Sequence, residues 1–148
     1  MTTAEDGEVR VTRARIEEIR ELAAEYAREQ QTSRGATSDA PLPEGGIFWL
    51  ARDGAGRALG YAAGTMRPIG CHVGPVFTRP EARRRGVGEA LVSAIQVWAA
   101  DTRVPVVEIS VAADDPAGQA FLESLGYVPR RVLMSLTPER PRSGASGA

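Results

Sequence analysis

The chain has 148 residues, of which 43% are hydrophobic and 25% charged, and its formal net charge is −1. These totals fit one globular domain with its own core, and no net field would draw it to nucleic acid or to an acidic membrane. A single cysteine, Cys71, and a single histidine, His72, exclude an intrachain disulfide, a cysteine-held zinc and a multi-histidine metal centre within one chain.

All 18 cationic side chains are arginines. Arginine grips phosphate through a planar fork, although codon bias explains the lack of lysine more simply. The opening residues are polar and acidic and do not read as a signal peptide. No apolar run approaches the length of a membrane span. The expected setting is the cytoplasm.

Residues 1–7 are expected to be disordered, 8–136 to form the domain, and 137–148 to be a solvated tail rich in Pro, Gly, Ser and Arg. Val9 and Val11 alternate with polar neighbours and predict a first strand. Ile16, Ile19, Leu22, Ala23 and Tyr26 recur at helical spacing and predict an amphipathic helix of about four turns. Residues 31–46 read as a long loop, the kind that often carries function. Strands are predicted over 47–52 and 59–66, joined by the turn Asp53-Gly54-Ala55-Gly56, and over 71–78.

Residues 79–85 form a polar link, and 88–100 a second amphipathic helix with Leu91, Ala94, Ile95 and Trp98 on one side. A β-rich run covers 104–111. Asp115 suits a helix cap, Pro116 the first turn and Gly126 the end of a short third helix. A last strand is predicted over 127–136. This order implies a mixed α/β (α+β) fold, a mixed sheet with helices on both faces.

The informative segment is 76–91. A strand ends at Thr78, and Arg83-Arg84-Arg85-Gly86-Val87-Gly88 runs directly into a helix. The first turn of a helix offers N–H groups that lack internal partners, and with the helix dipole they favour an anion. Gly86 and Gly88 leave the backbone open to a phosphate. The motif is neither a Walker loop nor a three-glycine dinucleotide fingerprint. Reading the arginine triplet as a nucleic-acid patch finds no aromatic stacking series to support it.

Arg83-x-x-Gly86-x-Gly88 resembles the acyl-CoA signature of the GNAT superfamily of N-acetyltransferases. Asp115-Pro116-Ala117 followed by Phe121-Leu122-Glu123-Ser124-Leu125-Gly126-Tyr127 is similar to that family's last helix and its Leu-Gly-aromatic ending. The resemblance implies a mostly antiparallel sheet with one splayed parallel pair. It implies acetyl-CoA as co-substrate, no metal, and a small-molecule or peptide amine as acceptor; a homodimer stays open. The N–H groups of Arg84, Arg85, Gly86, Val87, Gly88 and Glu89, with Arg83 beside them, would hold the pyrophosphate. The backbone of Val76, Phe77 and Thr78 would pair with the pantetheine arm.

Gly74-Pro75 inside the strand marks a bulge or an edge. By strict alternation His72 shares a face with Gly74 and Val76. An imidazole, with an ordinary pKa of about 6.5, suits proton removal from an amine. The register places His72 where histone acetyltransferases of the family carry a glutamate and arylalkylamine acetyltransferases a histidine; the alternative is a structural histidine.

Leu122 stands where many relatives carry a tyrosine that protonates the leaving thiolate. Water, a bare thiolate, Tyr26 or Tyr61 are the substitutes. Asp115 stands where asparagine is usual, and it either meets the pantetheine or only caps its helix. Cys71 reads as a buried thiol. Glu108 and Ser110 share a strand face and either assist the base or lie on the surface. Trp49 reads as a core anchor or as a wall of the acceptor pocket. The reaction implied is direct attack of the amine on the thioester; the alternative is a non-catalytic acyl-CoA-binding module.

Overall fold

The computed structural model describes residues 8–34, 42–136 and 138–139. The chain divides into two compact units, Met1–Ser110 and Val111–Ala148. The first unit holds β1 (Arg10–Ala14), α1 (Ile16–Arg34), β2 (Ile47–Arg52), β3 (Ala58–Arg67), β4 (Gly70–Thr78), a 3-10 turn (Pro80–Ala82), α2 (Val87–Asp101) and β5 (Val107–Ile109). The second holds α3 (Pro116–Ser124).

The strands lie in the order β1-β2-β3-β4-β5. The first four are antiparallel neighbours, and β4 and β5 are parallel. The mixed, mostly antiparallel sheet is thus as the sequence implies. Each face carries one helix and one core. Leu91, Ile95 and Val87 of α2 pack with Trp49, Ala62, Cys71 and Val73. Ile19 and Leu22 of α1 pack with Phe48, Leu50, Tyr61, Ala63 and Phe77 on the other side.

Local chemistry sets the element ends. Glu18 Oε1 accepts the N–H of Arg15 at 2.9 Å, closing the first turn of α1 from the side-chain half of a capping box. That N–H, with Arg52 next, holds the Glu18 carboxyl below its ordinary pKa. The β2–β3 turn is tied by Asp53, whose Oδ1 accepts from Ala55 and Arg57 N–H at 3.0 and 2.9 Å.

Three predicted boundaries are corrected. Helix α1 runs to Arg34, into the expected loop, because Gln31 and Arg34 are good helix formers and no Gly or Pro intervenes before Gly35. Of that loop, residues 35–41 lie outside the described residues. Strand β5 covers three residues only, since β4 offers it partners only from Cys71 to Val73. Residues 127–136 form no strand, and Val132, Leu133, Met134 and Leu136 are exposed. Apolar β-formers make a strand only where another strand accepts their hydrogen bonds. The expected disordered ends, 1–7 and most of 137–148, lie outside the described residues.

Strands β3 and β4 approach closely at Gly60, where a Cβ would lie 2.3 Å from the Phe77 carbonyl oxygen. Backbone cannot yield as a flexible side chain can. Gly60→Ala should therefore lower unfolding free energy by about 1–3 kcal/mol in urea titrations. Unchanged stability would mean that the strands do not meet this tightly.

Candidate active site

The site begins with a fault in β4. Ala62 of β3 faces Val76, yet Gly64 of β3 faces Val73. Two steps along β3 therefore match three along β4, so β4 carries an extra residue at Gly74-Pro75. This is a β-bulge, and it reverses the side-chain alternation beyond it. Cys71 and Val73 point to the α2 core, and so does Val76, three residues after Val73. Phe77 points to the α1 core.

The expected shared face of His72 and Val76 is therefore wrong. His72 lies on the α1 face, together with Phe77. Alternation was the right rule, but the inserted residue breaks it.

The bulge is also where the parallel pair parts. Strand β5 pairs with Cys71, His72 and Val73, and Ser110 N–H donates to Val73 O at 3.2 Å. Strand β4 continues to Thr78. No strand pairs with its β5 flank beyond that point among the described residues. The backbone of Val76, Phe77 and Thr78 pairs with β3 on one side, and no described strand pairs with its other side.

Near the end of the β4–β5 pairing stands His72, in register with Glu108. Its Nε2 lies 2.6 Å from Ser110 Oγ. Val107 and Ile109 pack into the α2 core, so Glu108 and Ser110 share the face of His72. His72 is half-buried and Ser110 exposed. Cys71 is 1% exposed on the opposite face, and burial pushes its thiol pKa up. It is a structural residue and no partner for His72.

At the far end of β4 the chain is anchored before it turns. Arg79 binds the Glu25 carboxylate of α1, with Nη2 to Oε2 at 2.6 Å, and also reaches Ala58 O at 3.0 Å. That hydrogen-bonded carboxylate raises the Arg79 pKa. Arg83 binds Glu29 at 2.6 and 2.9 Å and Thr78 O at 3.2 Å. Its guanidinium is thus engaged in a tie between α1 and the loop.

Beyond Arg83 the backbone turns twice into the left-handed region, at Arg84 (φ 66°) and Gly86 (φ 79°). Gly86 then caps α2 without a side chain. The first intrahelical bond runs from Ala90 N–H to Gly86 O at 3.0 Å, so the N–H groups of Val87, Gly88 and Glu89 have no acceptor within the helix. A Cβ built on Gly86 or Gly88 would meet nothing within 4 Å. The side chain of Val87 is buried and anchors the turn. Arg84, Arg85 and Glu89 are exposed.

The other sequence candidates have plainer positions. In the second unit Asp115 caps α3, accepting Gly118 N–H at 3.0 Å, and Leu122 is buried. Tyr61 is 1% exposed in the α1 core, and Tyr26 packs edge-on against Phe77 with centroids 5.5 Å apart. Trp49 is a core residue, edge-on to Trp98 at 5.3 Å. Among the described residues no group of three or more His, Cys, Asp or Glu could hold a metal ion. No described helix is long and apolar enough to cross a membrane.

Solved structures share this architecture. A GCN5-related N-acetyltransferase from Ralstonia eutropha is similar at a TM-score of 0.67 and 15% identity, over 88% of this chain and 99% of that one. A putative acetyl transferase from Pyrococcus furiosus is similar at 0.63 and 17%, over 88% and 100%. AAC(6')-Iy, in complex with the bisubstrate analogue CoA-S-monomethyl-acetylneamine, is similar at 0.65 and 19%, over 88% and 99%. Among curated proteins, no sequence matches.

Such likenesses define the fold, that of the acetyltransferases. The sequence itself goes further: residues 16–127 match the acetyltransferase (GNAT) family, and the chain belongs to it. Acetyl-CoA is that family's acyl donor.

The two ion pairs that anchor the loop differ in burial. Arg79 and Glu25 expose 15% and 25% of their side chains, Arg83 and Glu29 47% and 33%. Glu25→Ala should cost about 1.5–3 kcal/mol, as a lost charged hydrogen-bond partner does. Glu29→Ala should cost under about 1 kcal/mol, as an exposed pair does. Chemical denaturation of both variants checks the order.

Proposed function

We propose that the protein is an N-acetyltransferase that moves the acetyl group of acetyl-CoA to a primary amine of a small molecule or peptide, by direct attack on the thioester. The observation that carries this reading is the flank of β4 beyond Val73 that no described strand pairs with, with an imidazole at one end and an uncapped helix entrance at the other. When bound, the coenzyme supplies an activated acetyl group as a thioester.

The residues divide the work by position. The N–H groups from Arg84 to Glu89 face the pyrophosphate, with Arg84 and Arg85 adding exposed positive charge. Gly86 supplies the left-handed turn and Gly88 leaves space above the helix entrance. The unpaired side of Val76, Phe77 and Thr78 receives the pantetheine amides as another strand would be received. An N–H on that side polarises the thioester carbonyl. His72 takes the proton of the amine. Arg83 acts on the loop through Glu29, and Asp115 through the cap of its helix. The complex of AAC(6')-Iy with an analogue joining CoA to acetylneamine supports an amine acceptor at the level of the fold.

Gly88 separates binding from folding. It lies within α2, where Gly is about 1 kcal/mol worse than Ala, and a side chain there meets open space. Gly88→Leu should therefore leave the melting temperature unchanged or higher, while calorimetry shows CoA affinity reduced at least about tenfold, equal to about 1.4 kcal/mol. Full affinity in a folded variant would remove the cradle from the mechanism.

His72→Ala should lower kcat by about 10²–10⁴. Because a base works only when deprotonated, activity of the parent should rise with pH through the imidazole titration. That acidic limb should vanish in the variant. A pH–rate profile with the same limb would assign the base elsewhere. Tight CoA binding with no turnover on any amine of a broad panel would favour the non-catalytic module.

A further inference from the structure

We infer that Ser110 is a catalytic residue, a relay hydroxyl through which His72 both removes the proton of the amine and returns it to the departing sulfur. The inference rests on the acetyltransferase reading above and names a second residue of that site.

Three observations carry it. Nε2 of His72 is not presented bare: Ser110 Oγ lies 2.6 Å from it. Ser110 is exposed and His72 half-buried, so the pair lies within reach of solvent on the side of the serine residue. The floor beside the pair is Gly74. A Cβ there would stand 3.7 Å from His72 Cε1 and 3.8 Å from Ser110 Cβ, ordinary contact distances, so Gly74 lies against both groups. The bulge and the β4–β5 register bring the three together; chain order alone does not.

A hydroxyl between base and substrate does what an ordered water does, but its position is fixed by the backbone. Ser110 is held by its own N–H, which donates to Val73 O at 3.2 Å. The step balances as follows. The neutral amine nitrogen forms a bond to the carbonyl carbon. Its proton passes to Ser110 Oγ while the proton of Ser110 passes to His72 Nε2. The carbon–sulfur bond then breaks, and the thiolate takes a proton from Ser110 as His72 returns one to Oγ. Amide and free thiol leave, and both residues end as they began. No separate acid is required, and Leu122 has no proton to give.

The test compares Ser110→Ala, Ser110→Thr, His72→Ala and the Ser110→Ala/His72→Ala double variant, using acetyl-CoA, an amine that the parent acetylates and thiol release. Ser110→Ala should lose at least about tenfold in kcat with little change in the KM for acetyl-CoA, whereas Ser110→Thr, which keeps a hydroxyl, should stay near the parent. The double variant should be no slower than His72→Ala, since groups acting as a unit are not additive.

Because His72 is the only histidine, a ¹⁵N-histidine-labelled sample gives one imidazole to follow. Its Nε2 resonance and titration midpoint should move in Ser110→Ala. Parent-like kcat and pH profile in Ser110→Ala, multiplicative losses in the double variant, or an unmoved imidazole each overturn the relay while leaving the acetyltransferase reading intact. A parent protein that acetylates no amine overturns that reading and the relay with it, even if the imidazole moves.

Discussion

One inserted residue organises this site. At Gly74-Pro75 strand β4 is one residue longer than its partner β3 requires. The consequences follow from strand geometry. Side chains beyond the bulge change faces, so Val76 joins the α2 core and Phe77 the α1 core. Pairing with β5 also stops at Val73, just before the bulge. The bulge coincides with the end of the β4–β5 pairing, and His72 stands next to that end.

The open flank is useful only if its far end is held. Beyond Thr78 the chain must turn into α2 without a side-chain cap, through two left-handed residues. A non-glycine residue in that region, such as Arg84, is disfavoured by about 1–2 kcal/mol. Rigid neighbours sustain such a turn. Ala82 and Val87 are buried in the α2 core, while Arg79 and Arg83 tie the opposite side to Glu25 and Glu29 of α1. Both helices thus anchor one loop, and of the arginines that resemble ligands in the sequence, Arg83 has its guanidinium engaged in this anchoring.

What the sequence made legible was local. The helix entrance at Gly86–Gly88, the cap at Asp115 and the turn at Asp53 each depend on residues within a few positions of one another. The central sheet and its two helix-covered faces followed from periodicity. What could not be read depended on partners. Alternation assigned His72 to the face of Val76, because the extra residue is defined only against β3. The run 104–111 gave a three-residue β5, because its length is set by β4. Residues 127–136 have strand-forming side chains, but no local rule supplies a partner. Ser110 was visible as the face-mate of Glu108; its distance to His72 came only with the β4–β5 register.

The chemistry of the described face is narrow, and this bounds the mechanism proposed for it. Tyr61 is enclosed, Tyr26 is set edge-on to Phe77, and Cys71 is on the other side with its thiol harder to ionise. In relatives that divide the work between a base and a tyrosine, two groups of different pKa can each be tuned to one half of the reaction. With leucine at position 122 and one imidazole in the chain, that division is unavailable to this sequence through those residues. A single group that accepts a proton early and donates it late must have a pKa near the operating pH, because it needs both forms in each turnover. Imidazole meets that requirement, and under the proposed relay the Ser110 hydroxyl 2.6 Å away would extend its reach without adding another ionisation.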